Sequence, residues 1–202
     1  MVIHHFDIQR AICPFRPFKA DSPLIIHSDA VLPLSIAFQD GQDFLLLNPK
    51  GYVPALCLDN GQILTEGPAI VQYLADQKPA SRLAPSAGTM ERYRLQEWLS
   101  FLGTELHKSF SPLFNQASSD DAKRDAKENI TKRFTYLDQK LAGSKYLMGE
   151  TFTVADAYAF TIVNWANFVG IDLKPYPNLS AYLGRIGARP KVQEALKAEG
   201  LL

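Results

Sequence analysis

The sequence predicts a small α/β unit followed by an all-α unit, on three observations. Short β-prone runs fill the first third, helical periodicity fills the rest, and a tract poor in periodicity parts them. That tract is QKPASRLAPSAG, residues 77–88, whose prolines, alanines and serines read as a connection between domains. The domains are therefore placed at 1–77 and 89–202, with 78–88 as the linker.

In the first unit VIHHF (2–6) reads as a strand. VPALCL (53–58) and QILT (62–65) flank DNG, whose Asn-Gly pair tolerates the positive φ of a tight turn. EGPAIVQYLAD (66–76) reads as a helix with Pro68 at its first position, where a missing N–H is no loss. Ile70, Val71, Tyr73 and Leu74 supply its apolar face.

Beyond the linker, Leu95, Trp98, Leu99, Leu102, Leu106 and Phe110 recur at three and four, which predicts one long helix. Residues 120–142 form a second, more charged amphipathic helix. A third starts at TFTVADAYAFTIVNWANFV, with Thr153 as N-cap and Asp156 three residues on, a capping-box variant. Being apolar almost all round, it is expected at the centre of its unit. Shorter helices near 178–187 and 190–198 complete the chain.

Composition narrows the function classes. With 47% hydrophobic residues the 202-residue chain can bury a normal core. Basic and acidic residues balance at 21 each, which argues against a nucleic-acid footprint. No run of eighteen apolar residues suggests a membrane span, and MVIHHFDIQR lacks the pattern of a signal peptide. Two cysteines, Cys13 and Cys57, suggest no disulfide framework, so a reducing cytoplasm is the expected location.

Pro54, set between Val53 and Ala55, spoils an otherwise ordinary strand. Proline in a sheet belongs at edges, starts or bulges. Here it either deters edge pairing or frees the Val53 backbone to pair with an extended ligand. Glu66 and Gly67 lie where a strand gives way to a helix N-terminus, which suits a carboxylate. Simple charge complementarity by Glu66 explains that placement too. Ser100, Gly103, Thr104, His107 and Ser111 form a small, polar stripe on the long helix. His107 there is either a titratable site residue or an ordinary surface or core histidine. Cys13, followed by Pro14, is either a thiolate favoured by a helix N-terminus or an inert buried thiol; Cys57 reads as core.

Five motifs in order, NPKGYVPAL, LTEGPAIVQYLAD, EWLSFLGTELHKSF, GETFTVADAYAFT and RPKVQEALKAEGLL, resemble the cytosolic glutathione transferases, the bacterial beta class in particular. The resemblance runs from about residue 40 to the C-terminus. It implies an α/β thioredoxin-like N-terminal domain followed by an all-α C-terminal helical domain. It further implies a cis bond before Pro54, with the cysteinyl segment of glutathione docked on Val53 and the γ-glutamyl end on Glu66 and Gly67. TELH resembles the beta-class segment in which Thr104 and Glu105 line the site and His107 faces the sulfur. Ser100 stands where asparagine is frequent and contacts glutathione.

Residues 8–39 depart from the family pattern. Cys13 is about where the beta-class cysteine belongs, but prolines 14, 17, 23 and 33 occupy the expected first helix and second strand. Ser35 and Ile36 stand where a basic residue is usual. The function implied is conjugation of reduced glutathione, as substrate and without a metal, to small hydrophobic electrophiles by a cytoplasmic, detoxifying homodimer. No nucleic-acid or membrane partner is expected. Two alternatives remain: a glutathione-dependent thiol–disulfide reductase using Cys13, and a non-catalytic glutathione-fold binding protein.

Overall fold

The computed structural model describes residues 44–58, 60–198 and 200–202. The strand expected at 2–6 and Cys13 lie outside them. The chain divides into two compact units, one running to Tyr73 and taking in Pro190–Leu202, the other Leu74–Arg189.

The first unit contains a single helical turn, α1 (Phe44–Leu47), then β1 (Ala55–Cys57) and β2 (Ile63–Thr65). The strands pair antiparallel with Ala55 opposite Thr65 and Cys57 opposite Ile63. Their turn closes as Leu58 N–H donates to the Gln62 carbonyl at 2.8 Å, with Gly61 at φ 80° supplying the left-handed residue. Phe44, Val53 and Ala55 form a buried cluster backed by Leu47 and Ile63. Cys57, expected as core, is half-buried.

Helix α2 (Gly67–Asp76) starts so that Pro68 is its second residue rather than its first. The reason is Glu66, whose φ of 74° turns the chain from β2 straight into the helix. The Glu66 carbonyl then accepts from the N–H groups of Ala69 and Ile70, both at 3.0 Å. Ile70, Val71 and Ala75 are buried, while Tyr73 and Leu74 are half-buried. Helix α8 (Pro190–Ala198) belongs to this unit as well.

In the second unit the connecting tract holds a short 3-10 turn, Pro79–Ser81. Farther along it the Leu83 carbonyl accepts from Val154 N–H at 2.9 Å. The buried guanidinium of Arg92 donates to both Asp76 carboxylate oxygens and, at 2.6 Å, to the Pro85 carbonyl. Helix α3 (Met90–Phe101) is capped by Thr89, whose side chain accepts from Arg92 N–H.

The long helix expected from the spacing is not uniform. After α3 comes a wide π turn, Leu102–His107, then a 3-10 turn, Lys108–Phe110, and α4 (Ser111–Phe114). Residues with short hydroxyl side chains permit the change of register, because they can cover carbonyls near the widened turn. Thr104 Oγ1 donates to the Ser100 carbonyl at 2.9 Å and Ser109 Oγ to that of Glu105 at 2.7 Å. Leu95, Leu99, Leu102, Leu106 and Phe110 are buried through all of these turns.

Helix α5 (Asp120–Leu141) buries Ala126, Ile130, Phe134, Leu137 and Leu141. Helix α6 (Val154–Val169) is the central one, with Ala155, Tyr158, Ala159, Ile162, Val163 and Ala166 all within the core. Asp156 completes the expected capping box and does more. Its carboxylate accepts from Thr153 N–H at 2.7 Å, Thr153 Oγ1 at 3.0 Å, Leu147 N–H at 2.8 Å and Tyr182 Oη at 3.0 Å. It thereby ties α6 to the turn before it and to α7 (Pro177–Gly187). Asp138 of α5 caps α7 from outside, accepting from Leu179 N–H at 2.9 Å. Among the described residues no helix is long and apolar enough to cross a membrane.

Candidate functional site

In the first unit the site residues gather where the strand pair ends. The ladder stops with Ala55 opposite Thr65, leaving Val53–Pro54 on one side and Glu66–Gly67 on the other just beyond it. The Val53–Pro54 peptide is cis. Val53 is 4% exposed, yet neither its N–H nor its C=O has a hydrogen-bond partner among the described residues. Buried backbone groups are nearly always paired, so such a residue is a candidate for pairing with something else. At the start of α2, Ala69 and Ile70 donate to Glu66, and Pro68 has no N–H. Gly67 thus holds the amide of that first turn that donates to no described residue.

Two residues here go beyond the sequence expectations. Lys50 Nζ donates to Thr65 Oγ1 at 2.8 Å and pairs with the Glu66 carboxylate. Asn48, 2% exposed, donates from Nδ2 to the Tyr52 carbonyl at 2.6 Å and accepts from Lys50 N–H through Oδ1 at 3.3 Å. It fixes the loop that delivers Val53. Gly51 completes that loop at φ 69°, where a Cβ would come within 3.2 Å of Leu45 Cδ2. The run Asn-Pro-Lys-Gly carries the signal, since Asn side chains close turns on nearby backbone.

In the second unit Ser100 and Thr104 are exposed and joined by the hydroxyl-to-carbonyl bond between them. Glu105 reaches instead toward α5, accepting from Arg133 Nη2 at 2.7 Å. His107 closes the π turn half-buried, its Nδ1 sharing a hydrogen bond of 2.6 Å with Tyr158 Oη. The indole of Trp165 meets its ring edge-on at 4.7 Å and 79°. Trp165 in turn contacts the buried Phe110 and the exposed Phe114 at 5.6 and 5.4 Å. Sequence alone does not mark Tyr158 and Trp165, because they sit in a run of α6 that looks uniformly like core.

Of the sequence-derived residues, Val53, Pro54, Glu66 and Gly67 lie together in the first unit. Ser100, Thr104, Glu105 and His107 lie along one stretch of the second. Cys13 is outside the described residues. Among the described residues no three His, Cys, Asp or Glu side chains gather as a metal site.

Comparison with known proteins agrees with this architecture. Residues 31–82 match the glutathione S-transferase N-terminal domain family and residues 101–190 the C-terminal domain family. Glutathione S-transferase GstA of Escherichia coli O157:H7 is 42% identical over 163 residues, covering 81% of either chain. Among solved structures, the beta-class glutathione S-transferase of Sphingomonas chungbukensis is 54% identical, with a TM-score of 0.79 over 81% of this chain and 82% of that one. A sphingomonad glutathione S-transferase complexed with glutathione is 52% identical, TM-score 0.79, over 82% and 83%. A small strand-bearing unit and a helical one, with these matches, define the class. The chain belongs to the glutathione S-transferase family and has its fold.

Proposed function

We propose that the chain is a beta-type glutathione transferase that conjugates reduced glutathione to small hydrophobic electrophiles. The observation that carries this reading is the Val53 backbone, which has no hydrogen-bond partner among the described residues, beside the first turn of α2. A tripeptide lying along residue 53 completes the interrupted ladder by β-augmentation. Its γ-glutamyl carboxylate meets the Gly67 amide at a positive helix end, and its ammonium meets Glu66. Lys50 pairs with the Glu66 carboxylate and orients it. The relative crystallised with glutathione supports the same ligand.

In the second unit, Ser100, Thr104, Glu105 and His107 are assigned to glutathione by their match to the family segment, with His107 nearest the sulfur. The exposed aromatic edge at Phe114 suits an apolar co-substrate. The step is a substitution: the thiolate sulfur bonds the electrophilic carbon, the leaving group departs with its electron pair, and the thiol proton passes to water. Holding both reactants supplies proximity, and hydrogen bonds to sulfur favour the thiolate. The chemistry requires no metal. The family resemblance supports a cytoplasmic homodimer that disposes of electrophiles, and the change of composition and period supports domains 1–77 and 89–202 joined by 78–88.

The test combines two measurements on wild type, Cys13→Ala and His107→Ala. Conjugation of a generic aryl halide that survives Cys13→Ala and drops with His107→Ala supports the transferase. An intact-mass adduct after treatment with oxidised glutathione, lost in Cys13→Ala, together with no conjugation, establishes the reductase instead. Retention on immobilised glutathione without either reaction leaves a binding protein.

A further inference from the structure

We infer that Tyr158 is a positioning residue for His107. Its phenol donates to Nδ1, fixes the neutral ring as the Nε2–H tautomer, and makes His107 a hydrogen-bond donor to the glutathione thiolate rather than a base. This rests on the proposed placement of His107 at the sulfur.

Three features of the structure point to it. First, Tyr158 sits in central helix α6 and is 3% exposed, so its hydroxyl is held by core packing. The Nδ1–Oη separation of 2.6 Å is at the short end for a hydrogen bond. Second, Trp165 lies seven residues farther along α6, two turns on and on the same face. Its edge-on contact with the imidazole sets the ring plane. Third, His107 ends the π turn Leu102–His107. One extra residue in a helical turn rotates the next turns by about 100°. The widened turn is therefore part of what brings the imidazole against α6.

Chemistry chooses the direction of the bond. A neutral imidazole has one donor and one acceptor nitrogen, and the bond made at one nitrogen sets the state of the other. Phenol is the more acidic donor and imidazole nitrogen the more basic acceptor, so O–H to Nδ1 is the stronger pairing. The proton of Nε2 then stays on Nε2. A thiolate needs a donor of that kind, whereas an unprotonated Nε2 would serve to remove a proton. Tyr158 thus decides which of two roles the histidine plays.

The chain has four histidines, at 4, 5, 27 and 107, so ring-nitrogen NMR of protein with labelled histidine is tractable, and His107→Gln identifies the signal. In wild type with the ring neutral, His107 is expected with Nε2 protonated and Nδ1 unprotonated; in Tyr158→Phe both tautomers appear. The thiol pKa of bound glutathione, read from thiolate absorbance, rises in Tyr158→Phe. There kcat/KM for an aryl halide falls about five- to tenfold, the size of one lost hydrogen bond, with KM for glutathione unchanged. His107→Gln, which keeps a donor but no base, recovers part of the activity lost in His107→Ala. An Nδ1–H tautomer in wild type overturns the inference even where Tyr158→Phe fails to fold. So does a tautomer unaltered by Tyr158→Phe, or a His107→Gln no better than His107→Ala. Wild type that forms no conjugate overturns the transferase reading instead, and the NMR still decides the tautomer.

Discussion

Glu66 holds a left-handed backbone that L-residues with a Cβ adopt at a cost of about 1–2 kcal/mol. Glycine adopts it freely. Glu66→Gly is therefore expected to raise the urea midpoint by the equivalent of about 1 kcal/mol while weakening glutathione binding, measured as a higher KM. A variant that is both less stable and equally active would show that the carboxylate serves structure alone. Asp156 presents the opposite case. Burial makes its charge costly, and four hydrogen bonds offset this only in part, so its pKa lies above the ordinary 3.8. Burial next to that carboxylate pushes Tyr182 well above the ordinary 10, which keeps it a donor. Asp156→Ala strands the buried donors of Thr153, Leu147 and Tyr182 and should cost about 3–5 kcal/mol in urea unfolding. With its pKa raised by folding, the native chain binds the proton more readily than the unfolded chain. The stability of wild type relative to Asp156→Asn is then greatest below about pH 4 and declines as pH rises above it. A difference that grows with pH would show that the hydrogen bonds outweigh burial. At this scale Val53, Pro54, Glu66 and Gly67 are legible because proline and a helix start leave marks in sequence. Asn48, Lys50 and Tyr158 are not, since their partners are set by turns and packing.

Helices are the most legible elements, because an apolar stripe at three and four survives any sequence context. The stripe from Leu95 to Phe110 locates the buried face correctly, yet it hides the π turn within it. Periodicity reports which residues face inward and is nearly blind to one extra residue in a turn. The start of α2 differs from expectation by one position for a related reason: a proline suits the first helical place, but a left-handed glutamate before it moves the start to Gly67. Packing of the charged helix α5 rests on few residues, so its core positions are sensitive. Phe134 is fully buried, with Tyr176 edge-on at 5.7 Å and Phe110 at 6.4 Å. Phe134→Ala is expected to lower stability by about 3–5 kcal/mol. Far-UV circular dichroism through a urea titration measures it, and a loss under about 1 kcal/mol would mean that the surrounding helices collapse onto the space.

For the whole molecule the two-unit plan is legible from a single change of composition and period. The proposed homodimer is checked by sedimentation at micromolar concentration, where the mass should be twice 22.5 kDa; a single-chain mass excludes it. The proline-bearing tract at 77–88 reads as a spacer, but its backbone has employment. Leu83 supplies the acceptor for the first amide of α6, and Pro85 and Asp76 together surround the Arg92 guanidinium. A helical fragment expressed from residue 89 onward would lose these acceptors and expose a cation that now sits indoors. Anyone wishing to isolate the helical half should start the gene no later than codon 74 and treat the prolines as part of its wall.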